Sequence, residues 1–178
     1  LTVSNLNTYP KSNQQFTVTL KDIAGNAVVG ETVKVKIGSA TYSPVTDANG
    51  RAVVKVNIAK EGTYTASVVY AGDEVDYEGC SAQAKVVVKK TSTKMTASNL
   101  NMIPKMAEYY SITLKDASGK ALAKQKVTFK VNGKTYTKTT NSKGVAKVKL
   151  KFSKNKKTYK ITIKFAGTNK YKAISKTK

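Results

Sequence analysis

The sequence predicts an all-β protein made of two tandem antiparallel β-sandwiches. Three observations carry the prediction: apolar and polar residues alternate in short runs, turn residues separate the runs, and the whole pattern repeats at an offset of 94. The 178 residues leave room for two cores of about 90 residues each. Val, Thr, Ile and Tyr suit a pleated, half-buried surface, and runs of Ala, Leu and Glu that would favour helix are missing.

The repeat is legible residue by residue. Ser4-Asn5-Leu6-Asn7 recurs as Ser98-Asn99-Leu100-Asn101, Pro10-Lys11 as Pro104-Lys105, and Thr19-Leu20-Lys21-Asp22 as Thr113-Leu114-Lys115-Asp116. Gly25, Val33, Tyr42 and Gly50 meet Gly119, Val127, Tyr136 and Gly144. One inserted residue then sets Thr63-Tyr64 on Thr158-Tyr159 and Ala71-Gly72 on Ala166-Gly167, and a deletion returns Tyr77 to Tyr171.

Within the first repeat the alternating sets are Phe16, Val18, Leu20; Val33, Val35, Ile37; Val54, Val56, Ile58; and Tyr64, Ala66, Val68, Tyr70. The second has Tyr110, Ile112, Leu114; Val127, Phe129, Val131; Val148, Leu150, Phe152; and Tyr159, Ile161, Ile163, Phe165. Ala24-Gly25-Asn26, Asp47-Ala48-Asn49-Gly50, Lys60-Glu61-Gly62, Ser118-Gly119 and Asn132-Gly133 supply the turns.

About seven short strands per repeat is the expectation for an immunoglobulin-like sandwich. Tyr64 enters its strand two residues after Gly62, as in a tyrosine corner, and Tyr159 takes the same place with Lys157 where the glycine would be. Both tyrosines are read as structural, either as corners or as ordinary core aromatics. The predicted fold is therefore two tandem immunoglobulin-like antiparallel β-sandwich domains, residues 1–90 and 93–178. The link from Lys89 to Thr93 is too short for a random-coil hinge, so an elongated rod with limited bending is expected.

Charge separates the repeats. Residues 1–90 hold ten Lys/Arg against eight Asp/Glu, a net +2, whereas residues 91–178 hold 22 lysines against Glu108 and Asp116, a net +20. By strand parity Lys126, Lys130, Lys147, Lys149, Lys151, Lys160 and Lys164 point away from the core and form the candidate polyanion-binding set. Charged strand faces also guard against edge pairing, but a balanced surface would do that without the self-repulsion of +20. The expected partner is an anionic cell-envelope polymer or an acidic glycan. Nucleic acid or another polyanion is the alternative. Specific base recognition is not expected, because lysines lack the bidentate fork of Arg and no aromatic ladder is interleaved with them. The first repeat, nearly neutral, reads as a spacer.

The chain has no His, no Trp and a single Cys, so the usual bases, zinc ligands and activated nucleophiles are missing and no enzyme or cofactor is expected. Asp73, Glu74 and Asp76 form a weak candidate for Ca²⁺, read mainly as a solvated acidic loop because the second repeat has Thr168-Asn169-Lys170-Tyr171 there. A lysine isopeptide cross-link at Lys21 or Lys115 would need a buried acid; Glu108 is the one Glu in its repeat, and Gln14 stands at its counterpart. Cys80 reads as a small apolar residue and forms no disulfide within the chain. No apolar run nears the roughly 18 residues that span a bilayer.

Leu-Lys-Asp, a Gly turn, a Val-rich strand, a Tyr-containing strand and Ala-Gly followed by Tyr together resemble the bacterial-type Ig-like repeats of prokaryotic surface proteins. The lysine-rich version is most similar to repeats of methanogen adhesin-like proteins. That resemblance covers nearly the whole chain twice and implies an extracellular spacer or adhesive array at the cell surface, with no catalytic residues. Other repeats of such an array would reach another cell's surface, and this part is expected to be monomeric. The residues at Leu1 already read as strand, so a signal peptide and an anchor are expected outside this stretch. Seven residues follow Tyr171, against thirteen from Glu78 to Lys90 in the first repeat, so the last strand of the second repeat is expected to be shortened.

Overall fold

The computed structural model describes residues 1–73, 75–153 and 158–178. The chain divides into two compact units, Leu1–Lys90 and Thr91–Lys178. No helix among the described residues is long and apolar enough to cross a membrane.

Among its described residues unit 1 has eight strands: β1 (Thr2–Val3), β2 (Leu6–Thr8), β3 (Gln14–Thr19), β4 (Lys34–Ile37), β5 (Ala40–Tyr42), β6 (Arg51–Val56), β7 (Gly62–Gly72) and β8 (Glu78–Val88). One sheet has the order β1-β3-β6 and the other β2-β8-β7-β4-β5. Alternation sets the register: Phe16 lies opposite Val54 and Val18 opposite Ala52, while Val35 lies opposite Val68. These residues bury themselves between the two sheets together with Val33, Ile37, Tyr70, Val86 and Val88. Not every pair is antiparallel. The chain leaves β1 and crosses to the second sheet, where β2 runs parallel to the end of β8, Leu6 beside Val86 and Thr8 beside Val88.

Unit 2 repeats the plan with β9 (Thr93–Ala97), β10 (Ala107–Asp116), β11 (Lys126–Val131), β12 (Lys134–Thr139), β13 (Val145–Lys151), β14 (Ile161–Phe165) and β15 (Ile174–Thr177). Its sheets are ordered β13-β10-β9 and β12-β11-β14-β15. Phe129, Leu114, Ile112 and Ile163 are its largest fully buried side chains, and Tyr110 meets Phe129 edge-on at 6.3 Å between ring centroids. These strand orders define both units as immunoglobulin-like sandwiches.

The units share buried joints that alternation does not reveal. Thr46 and Thr140 are buried at equivalent positions. The Thr46 hydroxyl accepts from the Glu31 N–H at 2.9 Å; that of Thr140 accepts from Gln125 N–H at 2.9 Å and donates to the Leu122 carbonyl at 2.6 Å. Each thus ties the connection before β4 or β11 to the one after β5 or β12. Gly50 and Gly144 sit at φ +71° and +74°, and a Cβ there would run into the Leu20 or Leu114 carbonyl oxygen. Only glycine satisfies both demands.

Candidate polyanion-binding face

The seven lysines singled out by parity are all exposed, but they do not share one surface. Lys147, Lys149 and Lys151 lie along β13, whereas Lys126 and Lys130 lie on β11 and Lys164 on β14. The two groups occupy the outer faces of opposite sheets. Lys160, just before β14, has the same parity as Lys164. Parity tells inside from outside, but it cannot tell which sheet a strand joins.

The β13-β10-β9 face is the more concentrated. Lys147 lies opposite Ser111, Lys149 opposite Tyr109 and Lys151 opposite Ala107, so the three lysines stand about 7 Å apart along β13. On the other flank of β10, Lys115 lies directly opposite Lys94. Both are exposed and were not in the sequence-derived set. Tyr109, opposite Lys149, is 63% exposed, with the Lys149 ammonium 5.8 Å from its ring centroid. The other face is diluted by hydroxyls: Thr128 lies opposite Lys164 and Thr137, and Lys126 opposite Thr139.

Unit 1 shows what the fold requires at these places. Val53 stands where unit 2 has Lys147, Asn57 where it has Lys151, Gln15 where it has Tyr109 and Val69 where it has Lys164. Val53 and Val69 are 39% and 45% exposed, so neutral side chains serve the same outward positions.

The remaining sequence candidates are placed as follows. The Tyr64 hydroxyl donates to the Lys60 carbonyl at 3.0 Å, four residues back, which is tyrosine-corner geometry. Tyr159 stacks on Phe152 at 4.2 Å, and the counterpart of Lys60 falls in 154–157, outside the described residues. Asp73 turns its carboxylate onto its own loop, accepting from the N–H groups of Val75, Asp76 and Tyr77 at 3.1, 2.6 and 2.8 Å. Those backbone bonds, Tyr77 first, hold its pKa below the usual carboxylate range. Glu74 lies outside the described residues. Among the described residues no group of three or more acids, histidines or cysteines is arranged to hold a metal. Lys21 and Lys115 are exposed, and Glu108 accepts the Ile103 N–H at 2.9 Å, so neither lysine meets a buried acid in the way an isopeptide bond requires. Cys80 is half-buried against the unit 1 core. Burial, with the Glu31 carboxylate second, pushes the Tyr70 hydroxyl up to about 12.

No family model matches the chain, and no curated protein matches it. Among solved structures it is similar to the D0-D1 domain of intimin, at 20% identity over 98% of this chain and 96% of that one, with a TM-score of 0.41. It is also similar to the adhesin InvE of Yersinia pseudotuberculosis, at 15% identity over 99% of this chain and 57% of that one (TM-score 0.38). A third is a 1.5-MDa bacterial ice-binding adhesin, at 17% identity over 97% of this chain and 62% of that one (TM-score 0.48).

Proposed function

We propose that this chain is a non-catalytic structural module of an extracellular, cell-surface adhesin-like protein, in which unit 1 is a spacer and unit 2 lies against an anionic cell-envelope polymer or acidic glycan. The finer affiliation with archaeal adhesin-like repeats is part of this proposal and rests on the lysine-rich sequence resemblance.

The observation that carries it is the outer face of β13-β10-β9. Three exposed lysines, Lys147, Lys149 and Lys151, line β13 with the exposed Tyr109 opposite Lys149, and a second exposed pair, Lys94 and Lys115, lies further along β10 on the same face. Lys115 directly opposite Lys94 is a like-charge cross-strand pair, which costs stability unless an anion comes between them. Such a face attracts polyanions through point charges, insensitive to monomer sequence, while Tyr109 offers a flat apolar ring to a sugar.

The full chain should bind immobilised poly(glycerol phosphate) or polygalacturonate at low ionic strength and ignore uncharged dextran. It should release near 0.5 M salt, where the Debye length is about 4 Å. Equal binding to dextran, or retention at high salt, would refute the electrostatic reading. Equal affinity for single-stranded nucleic acid of matched charge would replace the envelope polymer with polyanions at large.

A further inference from the structure

Unit 1 is nearly neutral as a whole but not along its length. The connections β3–β4, β5–β6 and β7–β8 gather at one end of the sandwich: Glu31 N–H donates to the Thr46 hydroxyl at 2.9 Å, and Lys34 at the start of β4 lies opposite Val69 near the end of β7. Six acids, Asp22, Glu31, Asp47, Asp73, Asp76 and Glu78, lie in these connections or at their edge, against Lys21, Lys34 and Arg51. Glu61 is the one other acid among the described residues of the unit, and it belongs to the opposite end with Lys11, Lys60, Lys89 and Lys90. Apolar side chains also stand out at the acidic end. Ile23 and Val75 are 110% and 88% exposed, and Val29 and Val45 are 55% each.

The fold requires neither feature. Unit 2 carries Gln125, Asn141, Thr168, Lys170 and Lys172 where unit 1 has Glu31, Asp47, Asp73, Asp76 and Glu78, and Ala117, Ala123 and Thr139 where it has Ile23, Val29 and Val45. Asp22, Asp47 and Asp73 turn their carboxylates onto their own loops, and Glu31 stands over something else. The Tyr70 hydroxyl, on a side chain 3% exposed, has no hydrogen-bond partner among the described residues. It faces the acids: after burial, the Glu31 carboxylate and then that of Asp73 act on its titration. Unit 2 has Phe165 at this place, 2% exposed, so packing does not need the hydroxyl, and leaving it unpaired costs stability.

We propose that this acidic, apolar end of unit 1 docks a second copy of the chain, on the outer face of that copy's β12-β11-β14-β15 sheet. The complementary chemistry is there. Lys126, Lys130 and Lys164 stand on that face interleaved with Thr128, Thr137 and Thr139, whose methyl groups meet Ile23 and Val75 while the ammonium groups meet the acids. One ammonium holds the Glu31 carboxylate against the Tyr70 hydroxyl, which then gains the acceptor it lacks. Different surfaces of the two copies meet, so the contact is head-to-tail and continues from copy to copy. The monomer expected from the sequence is then the high-salt state. The β13 lysines take no part and stay open to the anionic polymer, so this contact and polymer binding fail independently.

Sedimentation of the full chain tests this at about 0.01 M and about 0.5 M salt, where charges are felt over roughly 30 Å and roughly 4 Å. At low salt the parent should grow past a dimer as its concentration rises, and at high salt it should be a monomer. One variant combines Glu31→Gln with Asp76→Lys, the residues unit 2 carries at those positions; the other combines Lys126→Gln, Lys130→Gln and Lys164→Gln. Each alone should stay monomeric with the Tm of the parent. An equal mixture should form a dimer and stop there, because one intact end and one intact face remain. Tyr70→Phe should weaken low-salt association roughly tenfold, the loss of a hydrogen bond to a charged group, while unit 1 melts no lower than in the parent. A parent monomeric at every low-salt concentration, self-association of either variant alone, or a mixture that forms no dimer or grows past it overturns the proposal. So does a Tyr70→Phe chain that associates as the parent does.

Discussion

Thr140→Val tests whether a single hydroxyl joins two loops of unit 2. Valine has nearly the shape of threonine, so packing survives and the change isolates two hydrogen bonds: the donation to Leu122 at 2.6 Å and the acceptance from Gln125 at 2.9 Å. Thr140 is 2% exposed, so water does not replace the lost partner. A buried group left unsatisfied costs about 1–3 kcal/mol, and two are affected, so a loss of about 2–6 kcal/mol is expected. For a unit of this size each kcal/mol shifts the Tm by roughly 4–8 °C, so the Tm should fall by at least about 8 °C. Calorimetry and urea unfolding of the full chain should show the change confined to the transition of unit 2. Thr140→Ser, which keeps the hydroxyl, should recover most of it. Thr46→Val should cost about half as much, since Thr46 makes the one bond to Glu31. A Thr140→Val chain within about 0.5 kcal/mol of the parent would refute the reasoning.

Other outcomes follow from the same geometry. Tyr64→Phe removes the bond to the Lys60 carbonyl and should cost about 1 kcal/mol in unit 1 by urea unfolding, leaving unit 2 unchanged. Asp116 accepts from the Ser118 hydroxyl at 2.6 Å and from the N–H groups of Ser118 and Lys120 at 3.0 Å, so its pKa is lowered, the Ser118 hydroxyl being the largest cause. Because the folded-state pKa lies below the unfolded value of about 3.9, its stabilisation is present above that pH and disappears as pH falls through the folded value. Asp116→Asn should therefore flatten the acid limb of the unit 2 stability curve below about pH 4 in a pH-resolved thermal melt. Phe129→Ala, at a fully buried side chain, should cost about 3–5 kcal/mol by the same unfolding assays.

Much of this architecture was readable in the chain. Runs such as Val33, Val35, Ile37 and Val127, Phe129, Val131 alternate because one side of each strand is core, and all six residues are buried. Turn glycines such as Gly50 and Gly144 are visible because no other residue suits their φ and their contact with a carbonyl. Less legible was anything set by pairing between distant strands. The parallel placement of Leu6–Thr8 beside Val86–Val88 has no signature in three residues of mixed polarity. Thr46 and Thr140 look like surface threonines until the loops fold over them. Parity points the lysines outward, but their division between opposite sheets depends on strand order. For the same reason Lys94 and Lys115 entered the face only through their cross-strand register. Parity places Tyr109 at an outward position of β10, but its lysine neighbour across the ladder, Lys149, is set by register alone.

The central claim is that one lysine face of unit 2 holds an anionic polymer, and the salt dependence of binding tests it most directly. The affinity of the full chain for poly(glycerol phosphate) should be measured across a salt series for the parent, for a Lys147→Gln, Lys149→Gln, Lys151→Gln variant, and for a Lys126→Gln, Lys130→Gln, Lys164→Gln variant. Each phosphate contact contributes roughly one unit to the slope of log K against log salt. The β13 variant should therefore lose about two to three units of slope while keeping its Tm, and the variant on the opposite sheet should lose less than about one. Equal losses in the two variants, or an unchanged slope in the β13 variant, would contradict the account.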